Sequence, residues 1–232
     1  MFILGIETST KTGSVAVISE NLVIAQYSLN IEVTHSERLM STVDRVLRDT
    51  GISISQVDGF AIAIGPGSFT GLRIGVSTVK GLVLATNKPV AAVPTLLALA
   101  WNVPHAAHTV CPLLDARKNE VYAALYRPEG MNFVQVMPES VISLARLGDR
   151  ITGATVFTGE ASLLYREELR KQFGDAALFA PKSAILPSAA AVAELGLDMI
   201  KSGRHVDPDS LTPLYIRRPE AEVAWEKRAQ SR

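Results

Sequence analysis

Apolar residues in the first hundred positions occur either as short runs or at helical spacing. Runs at residues 2–7, 13–19 and 22–29 predict three strands that are joined by short polar turns. Two further runs, at 60–64 and 90–93, predict buried strands. The first half therefore begins with a hairpin of adjacent strands and continues with strands that alternate with helices, an order typical of an α/β protein.

Helical spacing appears between these runs. Thr34 and Glu37 form a capping box before a helix over 34–49, whose Leu39 and Val43 share one face, and Gly51 ends it. A second helix is predicted over 70–86. A third follows Pro94, which suits the first turn of a helix.

The second half repeats this order of elements without a repeat in sequence. Strands are predicted at 110–114, 120–126, 133–137 and 155–158, a helix at 160–173, a short strand near Leu178 and an alanine-rich helix at 187–202. Two copies of one α/β topology would face each other across a cleft. We predict a first domain at 1–102, completed by 207–228, and a second, smaller domain at 103–206. Residues 220–228 read as a charged terminal helix or a frayed tail.

The segment GPGSFTGLRIG, residues 65–75, joins a predicted strand to the second helix. A glycine-rich turn before a helix leaves free N–H groups that can hold an anion. It lacks the lysine of a phosphate-binding P-loop and the flanking glycines of a nucleophile elbow, so a tight turn capped by Ser68 or Thr70 is the plainer interpretation.

The same helix carries two rows of small residues at a spacing of four. Gly71 and Gly75 form one row, and Ser77, Gly81 and Ala85 form the other. Glycine inside a helix costs roughly 1 kcal/mol relative to alanine, so we expect another backbone to approach closely. Whether that backbone belongs to a partner or to this chain stays open.

Composition narrows the classes of function. Lys plus Arg equal Asp plus Glu, 23 each, and aromatic residues make up 6% of the 232 residues, which disfavours a stand-alone RNA-binding protein. Cys111 is the single cysteine and cannot form an internal disulfide, which favours the cytoplasm. No signal peptide is visible, and the apolar run 89–101 is too short to span a membrane.

Several segments together resemble the bacterial TsaB family of tRNA threonylcarbamoyladenosine biosynthesis proteins. They are IETST at 6–10, GPGSFTGLRIG at 65–75, DARKNEVY at 115–122 and PLYIR at 213–217. The resemblance covers essentially the whole chain. It implies an actin-like, sugar-kinase-like fold built from two ribonuclease-H-like domains with mixed sheets.

The resemblance also implies a function and partners. Members are noncatalytic subunits that pair with a catalytic TsaD-type paralogue and a TsaE-type ATPase, which together install threonylcarbamoyl on an adenosine of tRNA. They form homodimers through the surface that binds the paralogue. The chain would then meet tRNA only through the complex and would not contact membranes.

Catalytic relatives of this fold hold a metal through a His-x-x-x-His pair on the first helix. Here His35 is followed four residues later by Leu39, so we predict no metal site and no catalytic residue. A degenerate metallopeptidase-like protein remains an alternative.

The phosphate-binding positions look vestigial. Glu7, Thr8 and Ser9 stand on the first hairpin, and Asp115 stands at the equivalent turn of the second half, without the glycines that let a backbone approach phosphate. Only Gly159 remains of the expected adenosine loop. We predict no cofactor, although weak ATP or ADP binding stays open, as does a small-molecule kinase or weak ATPase.

The surviving candidate is a partner-binding surface on the helices at 34–49 and 70–86. Its predicted members are His35, Arg38, Thr42, Gly71, Arg73, Gly75, Ser77 and Lys80. From this we expect a bulky residue at Gly75 or Ser77 to block pairing while leaving the fold intact.

Overall fold

The computed structural model describes residues 1–30 and 35–217. The first of its two five-stranded sheets has the order β3-β2-β1-β4-β5, with β1 antiparallel to β2 and parallel to β4. Its strands are β1 (Ile3–Glu7), β2 (Thr12–Ile18), β3 (Val23–Asn30), β4 (Gly59–Gly65) and β5 (Val90–Pro94). All five were expected from the apolar runs.

The second sheet has the order β10-β9-β6-β7-β8, and β6 is antiparallel to β7 and parallel to β9. Its strands are β6 (Thr109–Asp115), β7 (Glu120–Glu129), β8 (Asn132–Ser143), β9 (Thr155–Thr158) and β10 (Ala177–Phe179). Read from the other edge, this is the order of the first sheet. The predicted duplication of topology is therefore confirmed.

Seven α-helices connect or cover these strands among the described residues. They are α1 (His35–Thr50), α2 (Phe69–Thr86), α3 (Thr95–Trp101), α4 (Leu144–Gly148), α5 (Glu160–Leu164), α6 (Arg166–Phe173) and α7 (Ala189–Lys201). The helix predicted over 160–173 is interrupted, because Tyr165 leaves helical geometry at φ −105° and ψ 25°. The Thr34 cap lies outside the described residues.

Helices α1 and α2 pack on one face of the first sheet. Leu39 and Val43 of α1 and Val79 of α2 join a core whose sheet side includes Phe60 and Ile62. Burying each such side chain fully contributes about 1.5–3 kcal/mol. The apolar face predicted for the first helix is the face that is buried.

The other face of the first sheet is covered by α7, which corrects the assignment of residues 187–202 to the second half. Small residues on both sides let the helix lie against the strands. A Cβ on Gly5 would stand 2.3 Å from the Ala189 carbonyl oxygen, and one on Gly196 would stand 2.3 Å from Ala61 Cβ. Sequence order alone could not show which sheet this helix covers.

Helix α3 shows the opposite arrangement to α7, because it packs on the second sheet. It follows β5 of the first sheet, yet its Leu96 and Leu99 are fully buried with Val110 and Tyr126 of the second sheet. Each sheet is thus covered in part by a helix that follows the other sheet in sequence.

Strand β8 is longer than the predicted 133–137 and continues to Ser143. Pro138 lies within this strand, because β8 is at the edge of the sheet, where a residue without an N–H is tolerated. Helix α4, which follows directly, was not predicted.

After α7 the chain returns to the first half, as expected. The Val206 N–H donates to the Val90 carbonyl oxygen at 2.9 Å, and the Leu214 N–H donates to the Ile64 carbonyl oxygen at 2.7 Å. Leu211 is 2% exposed in the first core. The predicted completion over 207–228 lies outside the described residues beyond Arg217.

Candidate functional site

The turn between β1 and β2 lies beneath the glycine-rich loop at 65–68. The Ser68 N–H donates to the Ser9 carbonyl oxygen at 2.6 Å, and the Thr8 hydroxyl donates to the Gly71 carbonyl oxygen at 2.8 Å. The Ser68 side chain accepts from the Gly71 N–H at 3.2 Å and caps α2, as one interpretation of the sequence predicted. Thr8 and Ser9 are buried as a result.

The glycines of α2 make this contact possible. A Cβ on Gly71 would stand 2.0 Å from the Thr8 carbonyl oxygen, and one on Gly75 would stand 2.3 Å from the Thr8 hydroxyl oxygen. The expected close approach of a backbone to this helix is confirmed, and that backbone is the chain's own. Gly71 and Gly75 are therefore interior residues and not members of a docking surface, which corrects the expectation that Gly75 tolerates a bulky residue.

Glu7, the last residue of β1, is fully buried at this turn. Its Oε1 accepts the Ser9 N–H at 2.5 Å, whereas its Oε2 has no hydrogen-bond partner among the described residues. Burial raises the pKa of Glu7 to about 7, and the side chain and N–H of Ser9 only partly oppose this. The carboxyl group thus holds its proton to a higher pH than an exposed glutamate does.

Most of the donors at this turn that could hold a phosphate already have partners within the chain. Phosphate binding needs free N–H or hydroxyl donors, and here the Ser9 N–H binds Glu7, the Ser68 N–H binds Ser9 and the Thr8 hydroxyl binds Gly71. The packing of the turn against α2 thus engages these three donors, whereas the buried Ser9 hydroxyl has no hydrogen-bond partner among the described residues.

His35 is also engaged within the chain. Its Nε2 lies 2.7 Å from the Thr10 carbonyl oxygen, which can only accept, so this nitrogen carries the proton. Leu39, four residues on, is buried in the core. Within residues 1–30 and 35–217, no three His, Cys, Asp or Glu side chains cluster as a metal ion requires.

His35, Arg38 and Thr42 come together as predicted, but they face inward. All three are half-buried and line a cavity of about 20 Å³ against β2 and β3, together with Gly13 and Leu29. Their position favours a structural contribution at the base of α1.

The outward face of α2 carries the second row of small residues. Ser77, Gly81 and Ala85 are exposed, and a Cβ on Gly81 would meet nothing within 4 Å. Leu84 on the same helix is 79% exposed, and Met40 on α1 is 52% exposed. Two neighbouring helices thus present small and apolar side chains to solvent.

Arg73 and Lys80, also predicted on this surface, contact the returning chain. The Arg73 Nε donates to the Tyr215 hydroxyl at 2.9 Å, and its guanidinium lies 3.9 Å from the centre of the Phe69 ring. The Lys80 Nζ donates to the Asp209 carbonyl oxygen at 3.3 Å. The sequence did not reveal these partners, which are more than a hundred residues away.

In the second half, Asp115 ends β6 and is exposed, and it accepts the Arg117 N–H at 2.8 Å. Gly159 begins the connection to α5 with φ 88°, where a Cβ would stand 2.1 Å from the Leu113 carbonyl oxygen. Burial and then the charge of Asp115 raise the pKa of Glu160, while Lys11 of the first half lowers it. The charge of Lys11 thus acts on Glu160 from the first half.

A cavity of about 360 Å³ opens between β2–β3 and residues 181–188. Its lining is mostly hydroxyl and amide side chains, among them Gln26, Ser28, Asn102 and Ser188, and Lys182 is the charged residue among the described residues that line it. The Gln26 Oε1 already accepts from the Ser188 hydroxyl at 2.8 Å and from the Ala190 N–H at 2.9 Å, so much of this polarity fixes the start of α7 to the edge strand β3.

Comparison with known proteins identifies the family. The sequence model of the family described as "TsaD: tRNA N6-adenosine threonylcarbamoyltransferase" matches residues 29–225. A Bacillus subtilis relative, "tRNA threonylcarbamoyladenosine biosynthesis protein TsaB", is 32% identical over 97% of this chain and 98% of its own length. The chain belongs to the TsaB family. A TsaB protein of Escherichia coli is 31% identical over 98% of both chains.

A solved structure supports the same relationship. A Pseudomonas aeruginosa protein, described as having similarity to peptidase YeaZ, superposes with a TM-score of 0.79 at 28% identity over 93% of this chain and 99% of its own. The TsaB-family chain has the expected fold, an actin-like arrangement of two ribonuclease-H-like halves with mixed sheets. Among the described residues, no helix is both long and apolar enough to cross a membrane.

Proposed function

We propose that this chain is a noncatalytic subunit in the formation of threonylcarbamoyladenosine on tRNA, where it binds and activates a catalytic TsaD-type paralogue. Membership of the TsaB family supports a role in this modification. The match to the transferase family model further suggests that chain and enzyme descend from one fold, so that related surfaces could pair.

The observation that carries the pairing is the outward face of α2. Ser77, Gly81 and Ala85 leave room for a partner helix to approach, and Leu84 offers a large exposed apolar side chain beside them. Small residues beside an apolar anchor favour close helix packing. The partner-binding surface that we propose therefore differs from the predicted set. It retains Ser77 and adds Gly81, Leu84 and Met40.

Several features favour a scaffold over an enzyme of the same fold. His35 is hydrogen-bonded to Thr10, Glu7 is fully buried beneath α2, and the Ser9 N–H, the Ser68 N–H and the Thr8 hydroxyl bind acceptors within the chain. We propose that the chain needs no nucleotide of its own. Isothermal titration with ATP and magnesium tests this, and micromolar affinity would revive the kinase or weak ATPase alternative.

The other members of the assembly follow from the family resemblance. We propose that a TsaE-type ATPase joins the pair, that tRNA is reached through the complex, and that the chain works in the cytoplasm. When the paralogue is absent, we expect the same α1 and α2 surface to pair two copies of this chain. Sedimentation of the purified protein over a range of concentrations tests the homodimer.

The decisive experiment measures threonylcarbamoyladenosine formed on tRNA by purified paralogue, ATPase and threonylcarbamoyl-adenylate, with this chain added or omitted. Ser77→Trp, which blocks the approach of a helix, and Leu84→Arg, which removes the anchor, should abolish most of the product that the chain stimulates. Loss of a buried anchor weakens an interface by about 2 kcal/mol, or roughly 30-fold. Binding to the paralogue should fall in parallel.

Leu164→Arg on α5 is the matched control, since Leu164 is 61% exposed but lies in the second half. It should leave both pairing and product formation unchanged. Product formation that does not depend on the chain, or equal activity of all three variants, would contradict the proposal.

A further inference from the structure

The C-terminal strap, residues 211–217, is anchored along the edge of the first half. Leu211 is buried in the first core, and the Leu214 N–H donates to the Ile64 carbonyl oxygen at the end of β4. A Cβ on Gly65 would lie 2.7 Å from the Leu214 carbonyl oxygen, so only glycine lets the strap lie this close. The first residues of the strap are therefore packed against the first half.

The middle of the strap is attached to the beginning of α2. The Tyr215 ring stacks on Phe69 with centroids 5.1 Å apart, and its hydroxyl accepts from Arg73 at 2.9 Å. The Arg73 guanidinium in turn covers the Phe69 ring. Three side chains therefore fix this point of the strap to the helix that carries the proposed partner surface.

Two residues later the strap contacts the second half. Nη1 of Arg217 donates to the Ala116 carbonyl oxygen at 2.5 Å, and Nη2 donates to the Glu120 carboxylate. Two residues of extended chain span at most about 7 Å, so the strap crosses between the halves within this distance. Arg217 is three-quarters buried by the crossing.

The residues that Arg217 binds flank an unusual turn. Between Ala116 and Glu120, residues Arg117, Lys118 and Asn119 have φ of 59°, 56° and 57°. Consecutive left-handed residues other than glycine persist only where surrounding contacts hold them. The guanidinium supplies such contacts at both ends of the turn, and its planar fork suits one carbonyl and one carboxylate together.

We propose that the C-terminal strap is an interdomain lock, in which Arg217 holds the turn between β6 and β7 and thereby fixes the angle between the two halves. The arrangement of the two halves then does not depend on a ligand between them. This inference is independent of the proposed function, because it concerns the geometry of the isolated chain.

Spin labels on Asn21→Cys and Asp149→Cys, exposed positions on the two halves, allow the distance between the halves to be measured by pulsed electron resonance. Cys111 is fully buried and burial raises the pKa of its thiol, so it should not react with the label. With the lock intact we expect one narrow distance distribution. Arg217→Ala should broaden or shift it, by roughly twofold in width, because it removes the contacts between the strap and the turn, and domains of one chain move relative to one another unless contacts hold them.

Arg204→Ala is the matched control, since Arg204 also follows α7 but bonds to Ser202 within its own turn. Glu120→Gln and Arg217→Lys keep the size of the side chains and remove the charge or the fork, and both should broaden the distribution to a smaller extent. Far-UV circular dichroism verifies that each variant is folded. A narrow, unshifted distance distribution in Arg217→Ala would overturn the proposal. If Arg217→Ala does not fold, the same result in both conservative variants would overturn it.

Discussion

The two equivalent turns of the duplicated fold differ in almost every physical property. Glu7 and Asp115 are the last residues of β1 and β6, which occupy the same place in their sheets. Glu7 is fully buried beneath the 18-residue helix α2, whereas Asp115 is exposed near the five-residue helix α5. One topology has thus produced a buried turn and an exposed one, which shows that chain order alone does not fix the burial of a turn.

The substitution with the largest expected effect on stability is Gly71→Ala, which tests the burial of the first turn beneath α2. The new Cβ would stand 2.0 Å from the Thr8 carbonyl oxygen, so either the first turn or α2 must move. Overpacking against a backbone atom should lower the free energy of unfolding by about 3 kcal/mol or more. Urea denaturation measures the change.

Gly81→Ala on the same helix is the matched control. Nothing lies within 4 Å of its Cβ position, so the gain in helix propensity should stabilise the protein by about 1 kcal/mol. Equal losses at both glycines would mean that the turn is not sealed by α2.

The next effect is a dependence on pH that belongs to Glu7. Its pKa is raised from 4.5 to about 7 in the folded chain, so the folded state keeps a proton that the unfolded chain loses. The contribution of this group to the free energy of unfolding should therefore fall by up to about 3 kcal/mol as pH rises from about 4.5 to 7. Above that pH it should stay low.

Glu7→Gln removes this titration. Thermal unfolding at pH 5 and pH 8 should show a smaller loss for Glu7→Gln than for the parent chain. Asp115→Asn should change the difference little, since Asp115 is exposed. If the two variants behave alike, the burial of Glu7 does not control its ionisation.

The smallest effect concerns the open turn. Arg117 has φ 59°, a conformation in which glycine has no steric penalty. Arg117→Gly relieves this penalty, and the entropy that glycine adds to the unfolded chain offsets part of the gain. The free energy of unfolding should rise by about 0.5–1 kcal/mol at most. Arg150→Gly, in a turn without positive φ, should instead destabilise, and calorimetry distinguishes the two signs.

Much of the fold could be predicted from the sequence, because apolar runs and caps act locally. The strand at 59–65, the cap on α2 and the repeat of element order all follow from neighbouring residues. The placement of α7 could not be found this way, because it depends on which sheet offers small residues. Gly5 and Ala61, within otherwise bulky strands, were the available signal for a helix lying close above them.

The candidate site was predicted less well than the fold. The glycine spacing correctly indicated a close backbone, but spacing cannot show whose backbone it is. Thr8 lies 63 residues before Gly71 and Tyr215 lies 142 residues after Arg73, and neither separation leaves a periodic trace. Contacts of this kind are decided by the tertiary fold.

The exchange of helices α3 and α7 has a consequence for how the protein is made. One face of the first sheet stays open until α7, which ends at Lys201, has emerged from the ribosome. The half that is translated first therefore cannot complete its core during synthesis of its own residues. Its exposed strands must wait for nearly the entire chain, and a ribosome that stalls before this point would release a half with an uncovered apolar surface, a substrate for chaperones or proteases.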